Sequence, residues 1–93
     1  MLVGTHTHVP TADHQILDGG TAYQSDTGMC GDYDSVIGMN KEAATARFTK
    51  ANGPRLAVAM GEATLCGLLV ESGDDGLART VAPLRRGGRL SST

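Results

Sequence analysis

Ninety-three residues carrying a net charge of −2 suit one small domain, and a chain this short buries only about two-thirds of its unfolded surface. Three aromatic residues (Tyr23, Tyr33, Phe48), no tryptophan and thirteen glycines predict a thin core set against a large backbone entropy. No window reaches the roughly 18 apolar residues of a membrane span, the start lacks signal-peptide regions, and Cys30 and Cys66 lack ribbon or disulfide-framework spacing; a cytoplasmic chain with reduced thiols is expected.

The chain opens on a short apolar run, Met1-Leu2-Val3, followed by Gly4-Thr5-His6-Thr7-His8-Val9. In an extended strand residues i and i+2 share a face, so His6 and His8 are expected to converge on one point as two nitrogen ligands for metal. An H-x-H pair is by itself a weak signal, because a metal site needs more donors and histidines also cap strand ends through hydrogen bonds.

Residues 10–40 read as loop and short strand, punctuated by Gly19-Gly20, Gly28, Gly31 and Gly38. Within them, Thr21-Ala22-Tyr23-Gln24-Ser25-Asp26 is a predicted strand whose Ala22, Gln24 and Asp26 share a face. Asp26 ends it beside Gly28. There a carboxylate can stand behind the metal ligands and orient a histidine or a metal-bound water, or act as a turn aspartate on nearby amides. His14, following Asp13 in a loop, is expected to face solvent.

Asn40 is a predicted N-cap for a helix over residues 41–50, with Met39 packing on Ala44 and Gly53-Pro54 as the stop. Ala44, Phe48 and Ala51 form a narrow apolar stripe that calls for a sheet beneath it. Lys41, Arg47 and Lys50 read as a charged outer face. Three strands are then predicted as an antiparallel meander: residues 55–60 alternating Leu56, Val58 and Met60; residues 64–70, apolar nearly throughout and so covered on both faces; and residues 77–84, entered through the turn chemistry of Ser72-Gly73-Asp74-Asp75-Gly76. Glu62 is read as a turn residue.

Charge is unevenly spread: residues 1–40 carry five acids and no Lys or Arg, giving −5, and residues 41–93 carry eight bases and five acids, giving +3. The acidic, histidine-containing part is compatible with cation binding. The basic end, Arg85-Arg86-Gly87-Gly88-Arg89 with Ser91-Ser92-Thr93, reads as a flexible tail over residues 85–93 rather than a nucleic-acid contact.

The blocks G-T-H-T-H-V, T-A-D, D-G-G-T-A-Y, D-T-G-M, D-S-V-I-G-M and G-E-A-T-L-C-G, in that order between about residues 3 and 84, resemble the carboxy-terminal third of the YmdB-like metallophosphoesterases. These are cyclic-nucleotide phosphodiesterases of the calcineurin-like superfamily. The resemblance implies an α/β fold: the C-terminal part of a layered α/β/β/α sandwich, with a mixed sheet, one main helix and an antiparallel meander, occupying residues 1–84. It implies two divalent metal ions, iron or manganese, at the carboxyl ends of strands, with His6 and His8 as two of the ligands. In the family the remaining ligands (an aspartate, a glutamate, an asparagine and a further histidine) and the histidine of acid catalysis precede this region. The chain is thus expected to be an incomplete enzyme with no catalytic residue of its own.

The complete enzyme would hydrolyse a cyclic nucleotide or related phosphodiester. The exposed strand edge and apolar sheet face of a partial sandwich would invite self-association. Two other readings compete: an amidohydrolase-type metal hydrolase fragment, against which the chain's length and antiparallel second half argue, and a non-catalytic interaction module with incidental histidines.

Overall fold

A computed structural model describes residues 1–49 and 55–93. The predicted helix stop at Gly53-Pro54, with Lys50 and Ala51, lies outside the described residues. The elements in order are β1 (Leu2–Val3), β2 (Gln15–Ile16), β3 (Ala22–Gln24), β4 (Gly31–Asp32), α1 (Lys41–Thr49), β5 (Ala63–Ser72) and β6 (Ala78–Arg86). They make two three-stranded sheets, ordered β1-β3-β2 and β4-β5-β6. The mixed α/β character, the single main helix and the antiparallel set agree with the expected class.

The first sheet is mixed. β1 runs parallel to β3, with Leu2 opposite Tyr23 and Val3 opposite Gln24, and β2 runs antiparallel to β3, with Gln15 opposite Tyr23 and Ile16 opposite Ala22. Strand alternation sends Ala22 and Gln24 inward and, just past the strand's end, Asp26 as well: all three are buried, as their shared face predicted. Gly4 extends the pairing, its N–H donating to the Gln24 carbonyl at 3.1 Å and its carbonyl accepting from Thr27 N at 3.0 Å. The backbones approach so closely there that a Cβ on residue 4 would overlap the Ser25 carbonyl oxygen.

The second sheet is antiparallel throughout. β5 and β6 pair from Leu65–Arg86 to Ser72–Ala78, with an irregularity at Glu71 and Ser72. The predicted turn closes the hairpin: Gly76 N donates to the Gly73 carbonyl at 2.9 Å and Leu77 N to Asp75 Oδ1 at 3.0 Å. The Ala78 N–H donates to the Gly20 carbonyl at 2.9 Å, tying the second sheet to the β2–β3 turn.

Several expectations are corrected. Residues 55–60 are not a strand: their pairing among the described residues is the single bridge between Val58 and Met39, and the third strand of the meander is β4, with Gly31 opposite Thr64. Alternating apolar residues make a strand only where a neighbour offers a ladder; among the described residues 55–60 have only the Met39 bridge, and β4 pairs with the start of β5 at Ala63 and Thr64. β5 is covered on one face rather than two, with Thr64 and Cys66 buried while Leu65 and Leu69 stay more than half exposed. Phe48 is 87% exposed, so the helix stripe rests mainly on Ala44. The cap itself holds: Ala43 N donates to Asn40 Oδ1 at 3.0 Å.

The molecule measures 56 × 25 × 15 Å, a slab too thin for a deep core, and among the described residues the buried apolar side chains are Ala22, Ala44 and Cys66. β6 continues through Arg86, past the boundary expected at Leu84. Beyond it Thr93 N donates to the Arg85 carbonyl at 3.1 Å and Arg89 lies 3.8 Å from Asp34.

A Gly4→Ala substitution has no room beside Ser25 and should destabilise the chain by about 1–3 kcal/mol, the usual range for forced overpacking. Thermal melts check this, and an unchanged midpoint would show that the β1–β3 contact is not tight.

Candidate functional site

Because β1 and β3 are parallel, their carboxyl ends open on the same side, and the loops leaving them, residues 4–9 and 25–28, meet there. Crevices outside the carboxyl ends of parallel strands are where α/β folds bind ligands. His6, His8 and Asp26 all lie in these two loops.

Asp26 is the centre of the arrangement. Its Oδ2 accepts from His6 N at 2.7 Å, Thr7 N at 2.5 Å and Thr7 Oγ1 at 2.8 Å, and its Oδ1 accepts from Gly28 N at 2.8 Å. The first two of these amides belong to the histidine loop, so a buried carboxylate at the end of β3 fixes the backbone that leaves β1. Its hydrogen-bond partners are three backbone amides and one hydroxyl, the bonding expected of the amide-binding role. The same donors, Gly28 N foremost and then His6 N and Thr7 N, hold its carboxyl well below the usual carboxylate range.

That carboxylate also explains why the histidine pair is not in a strand. β1 ends at Val3, and residues 7–9 bend, with His8 in the left-handed region at φ 72°. Two successive amides turned toward one oxygen cannot keep the alternation of an extended chain. His6 and His8 therefore do not share a strand face. The His8 ring donates from Nδ1 to the Ile37 carbonyl at 2.7 Å, an assignment forced by the carbonyl being an acceptor only, and in the neutral ring this leaves the lone pair on Nε2. A cleft of about 150 Å³ lies beside it, lined by Thr5, His8, Asp26, Gly28 and Met29. His6 is exposed and is not among those lining residues. His14 is exposed, as expected.

Several contributors were not singled out from sequence. Thr7 supplies two donors to Asp26. Asp13 Oδ1 accepts from Thr11 Oγ1 at 2.7 Å and from Ser25 N at 3.0 Å, and Ser25 Oγ donates to Asp13 Oδ2; these bonds, led by the Ser25 hydroxyl, lower its pKa to about 2. Tyr33 Oη donates to the Met29 carbonyl and accepts from Met29 N, both at 2.9 Å, steadying one wall of the cleft. Burial first, then the Cys66 thiol 3.4 Å away, pushes the Tyr33 phenol up. Cys30 and Cys66 are free thiols. Glu62 lines a separate open cleft of about 280 Å³ with Asp32, Asp34 and Arg89. Among the described residues no three His, Cys, Asp or Glu side chains stand close enough to form a complete metal site.

Both carboxylates are depressed in the fold, so their stabilisation is complete above the unfolded value of about 3.9 and is lost as pH falls from there through the folded values. Urea midpoints measured between pH 7 and pH 2 should therefore fall below about pH 4. Asp26→Asn, which offers one acceptor oxygen in place of two, should be less stable at pH 7 and show a shallower acid slope; equal slopes would mean that Asp26 is not the anchor.

The family model described as "YmdB-like protein" matches residues 1–84. Over 74 residues the chain is 51% identical to the 2′,3′-cyclic-nucleotide 2′-phosphodiesterase of Bacillus subtilis strain 168, a match covering 78% of this chain and 28% of that protein. Among solved structures, a novel phosphatase of Mycoplasma pneumoniae superposes with a TM-score of 0.84 at 36% identity over 91% of this chain and 31% of its own. A hypothetical protein of Thermus thermophilus does so with a TM-score of 0.82 at 36% identity, over 94% and 34%. The chain thus spans about a third or less of the length of these relatives. With a family model covering nearly its whole length and 51% identity to a curated relative, the chain belongs to the YmdB-like family.

Proposed function

We propose that this chain is the histidine-bearing, carboxy-terminal part of a dinuclear metal-dependent phosphodiesterase, supplying His6 and His8 as ligands and without turnover by itself. The observation that carries the reading is the hydrogen bond from His8 Nδ1 to the Ile37 carbonyl: in the neutral ring it leaves the lone pair on Nε2, as an imidazole ligand requires. His6 fits through its position, one residue from Thr7 on a loop whose amides Asp26 holds, with its ring exposed. Two imidazoles fall short of the usual donor set, so in this reading the other ligands come from a part of the enzyme beyond these residues.

Divalent ions, iron or manganese in this reading, would supply Lewis-acid polarisation of a phosphoryl oxygen and an activated water. The chain's own share is geometric. Asp26 keeps two successive amides in place, the Ile37 carbonyl orients one ring, and Tyr33 with Met29 shapes the cleft beside it. The substrate class is a phosphodiester, and the Bacillus relative's activity makes a 2′,3′-cyclic nucleotide the first compound to test. No helix among the described residues is long and apolar enough to cross a membrane. With its free thiols this goes with a cytoplasmic enzyme.

Manganese titration of the 93-residue chain should show weak uptake. His6→Ala and His8→Ala should each cost at least the roughly tenfold that even a change in the groups behind the ligands costs. Uptake indifferent to both substitutions would remove the histidines from the site. Hydrolysis of bis(p-nitrophenyl) phosphate should stay at background; turnover abolished by His6→Ala would show the chain to be complete.

A further inference from the structure

Among the described residues two that are not glycine have positive φ: His8 at 72° and Ile37 at 46°. They lie 29 positions apart in sequence and are joined by the 2.7 Å bond from His8 Nδ1 to the Ile37 carbonyl. Histidine enters the left-handed region with modest penalty, whereas a β-branched residue there is a true outlier. Ile37 is 52% exposed, so burial of its side chain does little to offset that strain.

The strain has a local source. Ile37 and Gly38, at φ 46° and 93°, are the central residues of a turn in which Val36 N donates to the Met39 carbonyl at 3.0 Å and Met39 N to the Val36 carbonyl at 2.9 Å. Two positive φ values in a two-residue loop define a turn that favours Asn or Gly at its first central position. The peptide unit between Ile37 and Gly38 is gripped from its other side: Gly38 N donates to Ser35 Oγ at 2.9 Å, and Ser35 Oγ itself donates to the Asp32 carbonyl. In a trans peptide the N–H and C=O point in opposite directions, so holding the N–H on Ser35 aims the Ile37 carbonyl away from it, onto His8. Two flanking bonds keep the turn from rotating, Ala59 N to the Gly38 carbonyl at 2.8 Å and Asn40 N to the Ala57 carbonyl at 2.7 Å.

We infer that the turn at residues 36–39 is a positioning element for His8: the strained Ile37 aims its main-chain carbonyl at Nδ1 and thereby fixes Nε2 as the atom the ring presents to a cation. The inference rests on the reading of His8 as a ligand for its purpose but not for its geometry. Strain concentrated at the one residue that orients a ring is the pattern expected where the surrounding fold enforces a functional conformation. Ile37→Asn keeps the turn, because Asn tolerates positive φ. Ile37→Pro locks φ near −65°, incompatible with the turn, and swings the carbonyl away. Ser35→Ala releases the same peptide unit without touching φ, and serves if the proline variant does not fold.

The test is nitrogen-15 NMR of the imidazoles in the metal-free chain with neutral rings, using exposed His14 as internal reference, together with manganese titration. In the unmodified chain and in Ile37→Asn, His8 should show a protonated Nδ1 and an unprotonated Nε2. In Ile37→Pro or Ser35→Ala it should approach the mixed signature of His14, with manganese affinity lower by roughly tenfold. An unmodified His8 that already resembles His14, or one unmoved in both Ile37→Pro and Ser35→Ala, overturns the inference. A fixed His8 that these variants release, in a chain that takes up no manganese, upholds the positioning element and overturns the ligand assignment instead.

Discussion

One buried carboxylate organises this molecule. Asp26 accepts four hydrogen bonds from two stretches of chain about 20 residues apart, and without it the segment leaving β1 has no reason to bend. A buried carboxylate is costly unless its oxygens are satisfied, and here each oxygen finds a backbone amide. The same contacts that keep the charge in place set the path of the histidine loop. Fold and candidate site share this one anchor.

A second constraint comes from the turn at residues 36–39. The turn before α1 is tied to residues 57–59 and to Ser35, and from there its carbonyl reaches His8. His8 is thus held at its backbone by the loop that Asp26 fixes and at its ring by a distant turn. A hold on the adjoining backbone and a second on the ring leave His8 little freedom. His6 has only the first of these holds.

The thinness of the slab follows from the same economy. Short strands in the first sheet, small buried apolar side chains and exposed leucines on β5 leave little apolar area buried among the described residues. Order in the site region therefore depends on directional bonds more than on packing: the Asp13–Thr11–Ser25 set, the Tyr33–Met29 pair and the Asp26 hub. Bonds of this kind are individually modest in net stability, yet each is costly to leave half-made. That makes the site sensitive to single substitutions in the residues around it.

Local chemistry was readable from the sequence: the helix with its Asn40 cap, the hairpin turn at Gly73–Gly76, the shared face of Ala22, Gln24 and Asp26, and the likeness to the YmdB-like family. Each depends on neighbours a few positions apart, or on blocks kept in order. The tertiary structure alone decided the rest. Whether residues 55–60 became a strand depended on a distant partner offering a ladder, and the segment that pairs with the start of β5 is instead β4, about 30 positions away. Whether His6 and His8 shared a face depended on a carboxylate about 20 positions downstream that drew the His6 and Thr7 amides out of the strand. Which nitrogen of His8 stayed free depended on a carbonyl 29 positions off. Spacing along a chain reports periodicity, whereas a ligand atom is chosen by whatever distant group the fold brings against the ring.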